Sequence, residues 1–390
     1  MEKLYSLKAF TDLGKWYDMF ETLNNEQKHV VLTRIMNTDI TKLFWDEIDF
    51  FDMISNDFYY LASEKKFDEA ITLFENFKNK HEKQYKEDLN WLEYYLARSY
   101  LYIKDFKNIE KTLNTFINKD IDPDLLALLL DVTMLNGYVR ETKVLSVVGY
   151  HNLKESDGIV PWAIDELRNI AMCATMAEAY SNGNEIELDQ ILTSLKENNL
   201  IESNPECQEE VDRIKATIEI LNTGKQREWS MEDFSIKNKQ RPFNIFLFLN
   251  EFVYYLHKKQ SVDLITAFIF KNLLGLYYNY ISKERGGKFP CFFSKQSLDK
   301  YVAAQFSLLS LNHEGGVAML PIMAYYINFL KDKNLIVDEE FEKFKKFLNK
   351  IGKDIGRICR NEGWRYEFLF KFQLNGKPFF TSEYTYIDMN

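Results

Sequence analysis

The amino-acid sequence predicts an all-α protein: an irregular α-solenoid of helical hairpins, followed by an aromatic-rich helical bundle and a short C-terminal β-hairpin. Three observations lead to this fold class. Apolar residues recur every three or four positions through most of the 390 residues, which is the period of an α-helix. The chain holds only 15 Gly and 7 Pro, too few for the many tight turns of a β-sandwich or barrel. Its hydrophobic content of 46% is enough to bury a large core.

Residues 1–222 are predicted to form the array of helical hairpins. The first helical face consists of apolar residues spaced by three or four: Leu4, Leu7, Phe10, Leu13, Trp16, Phe20 and Leu23. An internal repeat follows, because residues 66–74 and 105–113 have similar sequences at an offset of 39 residues. Leu61 and Tyr100 occupy matching places before the two copies. A repeated helix pair of this kind indicates hairpins that stack on one another.

Two segments of this repeat carry a recognisable signature. Residues 96–101, with the sequence Leu-Ala-Arg-Ser-Tyr-Leu, supply the small and apolar residues of a first helix, and residues 67–74 supply those of a second. Over about residues 54–120 the chain thereby resembles the tetratricopeptide-repeat (TPR) family, while the rest of 1–222 matches its motif poorly. The 39-residue pitch is longer than that of the family. The resemblance implies a TPR-like but irregular solenoid.

A polar passage at residues 223–242 interrupts the apolar period and is predicted to be a linker between two domains. Residues 243–390 are predicted to form the second domain, a helical bundle. Within it, residues 313–316, His-Glu-Gly-Gly, are interpreted as a loop that ends a helix with a glycine cap. The zinc-binding motif HExxH does not apply there, because position 317 is Val instead of His.

The C-terminal segment is predicted to contain an amphipathic helix and then a β-hairpin. From Glu340 to Cys359, six apolar residues alternate steps of three and four: Phe341, Phe344, Leu348, Ile351, Ile355 and Ile358. Beyond this helix the period changes to two, over about residues 366–387. Asn375-Gly376 in the middle of that stretch is typical of a two-residue hairpin turn.

Charge and cysteine content limit the partners and the compartment. The 49 Lys and Arg residues against 59 Asp and Glu give a net charge of -10, which makes nucleic acid an unlikely partner. The four widely spaced cysteines and the absence of a signal-peptide core predict a cytoplasmic protein. The longest apolar stretch, 243–256, is too short to cross a membrane. The oligomeric state is left open.

Two clusters are candidate partner-binding sites, and no catalytic, cofactor-binding or metal-binding residues are predicted. The first is acidic and aromatic: Trp45, Asp46, Glu47, Asp49 and Asp52. The second is the basic side of the C-terminal helix: Lys346, Lys350, Lys353, Arg357 and Arg360. Either charge can recognise a complementary protein surface. In both cases the structural interpretation, a solvated helix face opposite a buried stripe, stands beside the functional one.

The sequence therefore predicts a non-catalytic module that binds a protein or peptide. A more specific form of this prediction is an immunity protein that neutralises a cognate toxin, because the acidic, aromatic-rich helical chain is similar in style to immunity proteins of bacterial polymorphic-toxin systems. A third interpretation comes from another class. With 31 Phe and 23 Tyr, the C-terminal helical bundle could line a small-ligand or enzymatic pocket.

Overall fold

Helices make up 78% of the residues, so the prediction of an all-α protein is confirmed. The computed structural model describes the following residues: 2–5, 12–38, 40, 42–116, 122–156, 159–181, 185–201, 208–285, 295–306 and 312–389. The chain divides into two compact units, Met1–Leu125 and Leu126–Asn390. In the described ranges, no helix combines the length and the hydropathy that crossing a lipid bilayer requires.

The first unit consists of short and medium-length helices that follow a 3-10 turn at Glu2–Tyr5. Its helices are α1 (Leu13–Glu21), α2 (Asn25–Met36), α3 (Lys42–Glu47), α4 (Phe50–Ser63), α5 (Phe67–Lys80), α6 (Glu82–Glu87), α7 (Leu89–Ile103) and α8 (Phe106–Phe116). Helices adjacent in sequence pack against each other, α4 against α5 and α7 against α8. Helix α5 also packs against α7, so the two hairpins lie side by side.

The internal repeat corresponds to a repeated backbone turn. Lys65, between α4 and α5, and Lys104, between α7 and α8, both adopt the left-handed conformation with φ of 58°. In the first turn the N–H of Lys66 donates to the carbonyl of Leu61 at 2.8 Å. In the second, the N–H of Asp105 donates to the carbonyl of Tyr100 at 3.0 Å. This pattern closes the C-terminal end of a helix. The two turns are 39 residues apart, which is the offset of the sequence repeat.

Aromatic side chains fill the core of the first unit. Trp16 is fully buried, and its ring stacks on Phe20 and meets Phe44 edge-on at a centroid distance of 5.2 Å. Phe58 of α4 stacks on Tyr95 of α7 at 4.5 Å. Such pairs add stability beyond that of the buried area, about 0.5–1.5 kcal/mol each. Much of the unusual aromatic content is therefore structural.

The second unit contains longer helices. Helix α9 (Pro123–Leu135) begins just before it, and the others are α10 (Val139–Leu153), α11 (Pro161–Ser181), α12 (Leu188–Glu197), α13 (Gln208–Thr223), α14 (Arg241–Tyr254), α15 (Leu264–Arg285), α16 (Lys295–Gln305), α17 (His313–Asp332) and α18 (Asp338–Asn361). Helix α17 is buried along most of its length and packs against α15, α16 and α18. It forms the centre of this unit.

The start of α17 differs from the sequence prediction. Residues 313–316 are its first turn instead of a loop that ends a helix. The side chain of Asn312 caps the helix by accepting the N–H of Gly315 at 3.0 Å. A Cβ at Gly316 would lie 2.7 Å from the Cβ of Gln305, so glycine allows α16 to approach closely. Gly316 therefore serves helix packing, which a local pattern does not reveal.

The segment predicted as a linker, 223–242, lies inside the second unit and is held by α14. Glu251 of α14 is 1% exposed and accepts hydrogen bonds from the backbone N–H of Arg227 at 2.9 Å and from the indole of Trp229 at 3.1 Å. Lys333 forms an ion pair with the same carboxylate. A short 3-10 helix, Met231–Phe234, follows. The segment is therefore polar in composition but ordered, and hydrogen bonds to Glu251 hold it in place.

The C-terminal hairpin is present at the predicted turn. Strand β1 (Gln373–Leu374) pairs antiparallel with β2 (Lys377–Pro378). Asn375 and Gly376 between them both have positive φ, 52° and 76°, as a two-residue hairpin turn requires. Each strand is only two residues long. Beyond β2, Phe380 pairs with Tyr386 in an isolated antiparallel bridge.

The predicted extension of the first strand to residue 366 was wrong. Residues Gly363–Lys371 form a 3-10 helix. Tyr366 and Phe368 are buried as an alternating strand would have them, but Leu369, next to Phe368, is fully buried as well. A segment that buries consecutive residues has no single outer face, so its alternating aromatic residues did not identify a strand.

Candidate functional site

Helix α18 forms because its apolar residues follow the helical period and its ends carry suitable charges. Three acidic residues, Asp338, Glu339 and Glu340, occupy the first turn, where they complement the positive end of the helix dipole. The buried face of α18 consists of Phe341, Leu348, Ile351, Ile355 and Cys359 together with two glycines. Four of the six residues of the predicted stripe are buried; Phe344 is half-buried, Ile358 is 38% exposed, and Cys359 is buried instead.

Two glycines fix which faces of α18 are covered, and the sequence reasoning missed them. Gly352 and Gly356 are four residues apart, and the C-terminal segment packs directly on both. A Cβ at Gly352 would lie 2.4 Å from the ring of Tyr386, and one at Gly356 would lie 2.6 Å from the backbone oxygen of Tyr384. Glycine is unfavourable inside a helix, so two of them one turn apart were the available signal of a close contact.

The side of α18 opposite its buried apolar residues is basic and exposed. Lys346, Lys350, Lys353, Arg357 and Arg360 are all exposed, and their spacing of four, three, four and three places them along one face. We call these five residues the basic face. At 1.5 Å per residue, the basic face is about 21 Å long. Over residues 343–360 the chain holds seven Lys or Arg against one acidic residue, Asp354.

The five residues of the basic face differ in their ion pairs. Lys353 contacts Asp388 at 3.1 Å, and Arg357 contacts Asp354 at 3.0 Å. Among the residues that the structure describes, Lys346 and Lys350 have no carboxylate within ion-pair distance. The N-terminal half of the basic face therefore presents two uncompensated ammonium groups to solvent.

The acidic cluster of the first unit has mainly structural contacts. Trp45 is half-buried and meets Phe50 edge-on at 5.0 Å. Asp49 caps α4 by accepting the N–H of Asp52 at 3.0 Å, and the carboxylate of Asp52 accepts a hydrogen bond from Asn56. Such caps contribute about 1 kcal/mol each. Asp46 and Glu47 are exposed like the other two carboxylates. This arrangement fits the structural interpretation better than a binding surface.

Titratable and metal-ligating residues do not gather into a metal site within the described ranges. No group of three or more His, Cys, Asp or Glu side chains is placed there to hold an ion. Cys173 and Cys359 are free thiols, while Cys207 and Cys291 lie outside the described residues. Burial raises the pKa of the Cys359 thiol, which makes it a poor nucleophile.

Comparison of the chain with protein-family models, with curated proteins and with solved structures finds no match. The class of the protein is therefore defined by its own fold. It is an all-α protein whose first unit contains adjacent helical hairpins and whose second unit includes a helix, α18, with an exposed basic face.

Proposed function

We propose that the chain is a non-catalytic binding module that captures an acidic segment of a partner protein on the basic face of α18. The observation that carries this proposal is the pair Lys346 and Lys350, two exposed ammonium groups on one helical face without a carboxylate partner in the described part of the chain. Complementary charge raises the association rate and selects among partners.

The charge balance favours a protein partner over nucleic acid. With a net charge of -10, the whole chain repels an extended polyanion at long range. At an ionic strength of about 0.1 M, charges separated by more than about 10 Å are largely screened. A short acidic helix or loop placed on α18 therefore feels chiefly the local positive field. Acidic residues spaced by three and four on such a helix match the spacing of the basic face.

The helical hairpins belong to the same proposal. We infer that the helical hairpins form an irregular, TPR-like α-solenoid. The turns at Lys65 and Lys104 support this inference, because their spacing of 39 residues equals the offset of the sequence repeat. Stacked helix pairs offer extended surfaces to partners.

A charge-reversal experiment tests the proposal. Lysate of the native host is passed over the immobilised wild-type chain, over a Lys346→Glu/Lys350→Glu variant and over a Lys237→Glu/Lys239→Glu control. Both variants change the net charge by the same amount, and all four lysines are exposed. We expect an acidic protein to be retained by the wild type and the control, to be lost by the α18 variant, and to elute with salt. Equal retention by all three chains would refute the proposal.

The immunity-protein interpretation is a specific form of this proposal in which the acidic partner is a toxin. It stays a prediction, and co-expression with the toxin of a neighbouring gene tests it. Rescue of the cells by the wild type, and loss of rescue in the Lys346→Glu/Lys350→Glu variant, is the expected result. If the variant still rescues the cells, the chain neutralises the toxin without using the basic face.

A further inference from the structure

A cavity of about 600 Å³ opens in the second unit between α11, α13, α14 and α15. Its apolar lining includes Met172, Met176, Ile214, Phe246 and Phe268. The volume lies within the range of known small-molecule sites, about 300–1,000 Å³. Two of its helices, α11 and α13, precede the segment predicted as a linker in the sequence, and the other two, α14 and α15, lie mainly or wholly after it. It is independent of the basic face.

Lys271 of α15 lines this cavity, and its ammonium group contacts an amide and two aromatic rings. Its Nζ donates to the side-chain oxygen of Asn250 at 3.0 Å and lies 5.1 Å and 5.8 Å from the ring centroids of Phe246 and Phe268. No carboxylate of the described residues lies within ion-pair distance. Burial lowers the pKa of Lys271 from its usual range; Cys173 opposes this shift and the nearby Arg213 adds to it. The ammonium is therefore poorly compensated.

Arg213 is a second cation of the same cavity and has an unsatisfied donor. Its guanidinium lies 5.4 Å from the centroid of Phe246, the ring that Lys271 also contacts. One guanidinium nitrogen, Nη2, donates to Glu209 at 2.7 Å. The Nε of Arg213 is buried and has no acceptor among the described residues. A buried donor without an acceptor destabilises the folded state, so an acceptor supplied by a ligand near this guanidinium would be stabilising.

The other charged groups of the cavity limit the charge of that ligand. Arg168 is already occupied, because it donates to the carbonyl of Leu200 and forms an ion pair with Glu210. Asp165, Glu209 and Glu210 balance the three cations Arg168, Arg213 and Lys271 in number. A monoanion leaves the filled cavity with one excess negative charge, whereas a dianion such as a phosphate monoester brings two beside these carboxylates. Like charges in a partly buried site repel strongly.

We infer that this cavity binds a small molecule with a single carboxylate and an apolar body. The carboxylate accepts hydrogen bonds from the ammonium of Lys271 and from the guanidinium of Arg213, and the apolar body lies against the methionine and phenylalanine side chains. Hydrogen bonds between ionised groups are about twice as strong as neutral ones. No covalent step is involved. This assignment makes concrete the small-ligand interpretation of the sequence, but places the ligand on α11, α13, α14 and α15.

Titration calorimetry with octanoate as the probe tests the inference. The neutral analogue octanol and the dianionic analogue octyl phosphate are titrated in parallel. We expect octanoate to bind at least about tenfold more tightly than either analogue, since only the monoanion satisfies both donors at low electrostatic cost. Equal affinity for octanoate and octanol, or no binding of octanoate at millimolar concentration, overturns the inference.

Variants locate the binding in the cavity. Lys271→Met keeps the length of the side chain and removes its charge, and we expect octanoate affinity to fall at least about tenfold. Lys215→Met is the control, because Lys215 is an exposed residue of α13. A second variant, Met172→Phe, reshapes the apolar lining and is expected to weaken octanoate binding with Lys271 intact. Wild-type affinity in both folded variants contradicts the inference, and thermal unfolding shows that each is folded.

Discussion

The Nδ1 atom of His29 lies 2.8 Å from Oδ2 of Asp57, a carboxylate that is 4% exposed in the first unit. The other ring nitrogen, Nε2, lies 3.4 Å from a carboxylate oxygen of Glu69. The hydrogen bond with Asp57 raises the pKa of His29 above its usual value, while burial raises the pKa of Asp57. Both shifts mean that the folded unit holds protons more tightly than the unfolded chain does.

The first prediction concerns this pair. Because the pKa of His29 is raised on folding, its contribution to stability is complete below the unfolded pKa of 6.5 and is lost as the pH rises through the folded value. We expect the free energy of unfolding of the first unit to decrease between about pH 6 and about pH 8. His29→Gln removes this decrease. Denaturant titrations at several pH values measure it, and an unchanged slope in the variant contradicts the prediction.

The second prediction concerns Asp131 of α9. Burial raises the pKa of its carboxyl to about 8, and the charges of Glu314 and Glu166 add to this effect. The folded state therefore keeps a proton that the unfolded chain releases near pH 4, so stability decreases as the pH rises toward 8. Asp131→Asn mimics the protonated carboxyl. We expect it to be more stable than the wild type by at least about 1 kcal/mol above pH 8 and equal to it in acid.

Thermal unfolding as a function of pH checks the Asp131 prediction. Asp124→Asn is a suitable control, because Asp124 is an exposed residue in the first turn of the same helix. Its stability difference from the wild type should not increase with pH in the same range. If both variants gain equally, the effect arises from the overall negative charge and not from the environment of Asp131.

The parts of the structure that the sequence predicted are those fixed by local patterns. The turns at Lys65 and Lys104 follow from a repeat that is visible in the sequence, and the exposure of Lys346 and Lys350 follows from the period of one helix. The dipeptide Asn375-Gly376 likewise identified the hairpin turn. These features depend on neighbours within a few positions, so a single segment contains the information that determines them.

The parts that were missed depend on contacts between distant segments. Residues 313–316 begin a helix because α16 packs against Gly316, and the 3-10 helix at 363–371 buries consecutive residues against other elements. The cavity is the clearest case. Lys271 and Arg213 belong to different helices and share the ring of Phe246, and nothing in either helix alone indicates that they meet.

The third prediction tests the close contact of α18 with the C-terminal segment. Gly356→Ala would place a Cβ 2.6 Å from the backbone oxygen of Tyr384, which cannot rotate away as a side chain could. We expect a loss of about 1–3 kcal/mol in the free energy of unfolding. Gly275→Ala in α15 is the control, since a Cβ there meets nothing within 4 Å. The control should gain about 0.4–1 kcal/mol, and a similar gain at Gly356 would contradict the described packing.

The fourth prediction concerns Glu251, the acceptor that holds the segment at 223–242. Its carboxylate accepts from the Arg227 backbone and the Trp229 indole and forms an ion pair with Lys333, which is itself 9% exposed in its side chain. Glu251→Ala leaves these donors and a buried ammonium uncompensated, so we expect a loss of about 3 kcal/mol. The fluorescence of Trp229 should shift to longer wavelength, because its indole becomes accessible to water.

Limited proteolysis distinguishes local release from general destabilisation in this variant. Cleavage after Lys225 or Arg227 should become much faster in Glu251→Ala, while the rest of the second unit is cut at a rate closer to that of the wild type. Glu228→Ala removes an exposed carboxylate from the segment itself and should leave cleavage unchanged. Resistance of Glu251→Ala to cleavage at these sites would show that apolar packing, such as that of Trp229 against Phe248 at a centroid distance of 5.6 Å, holds the segment without the carboxylate.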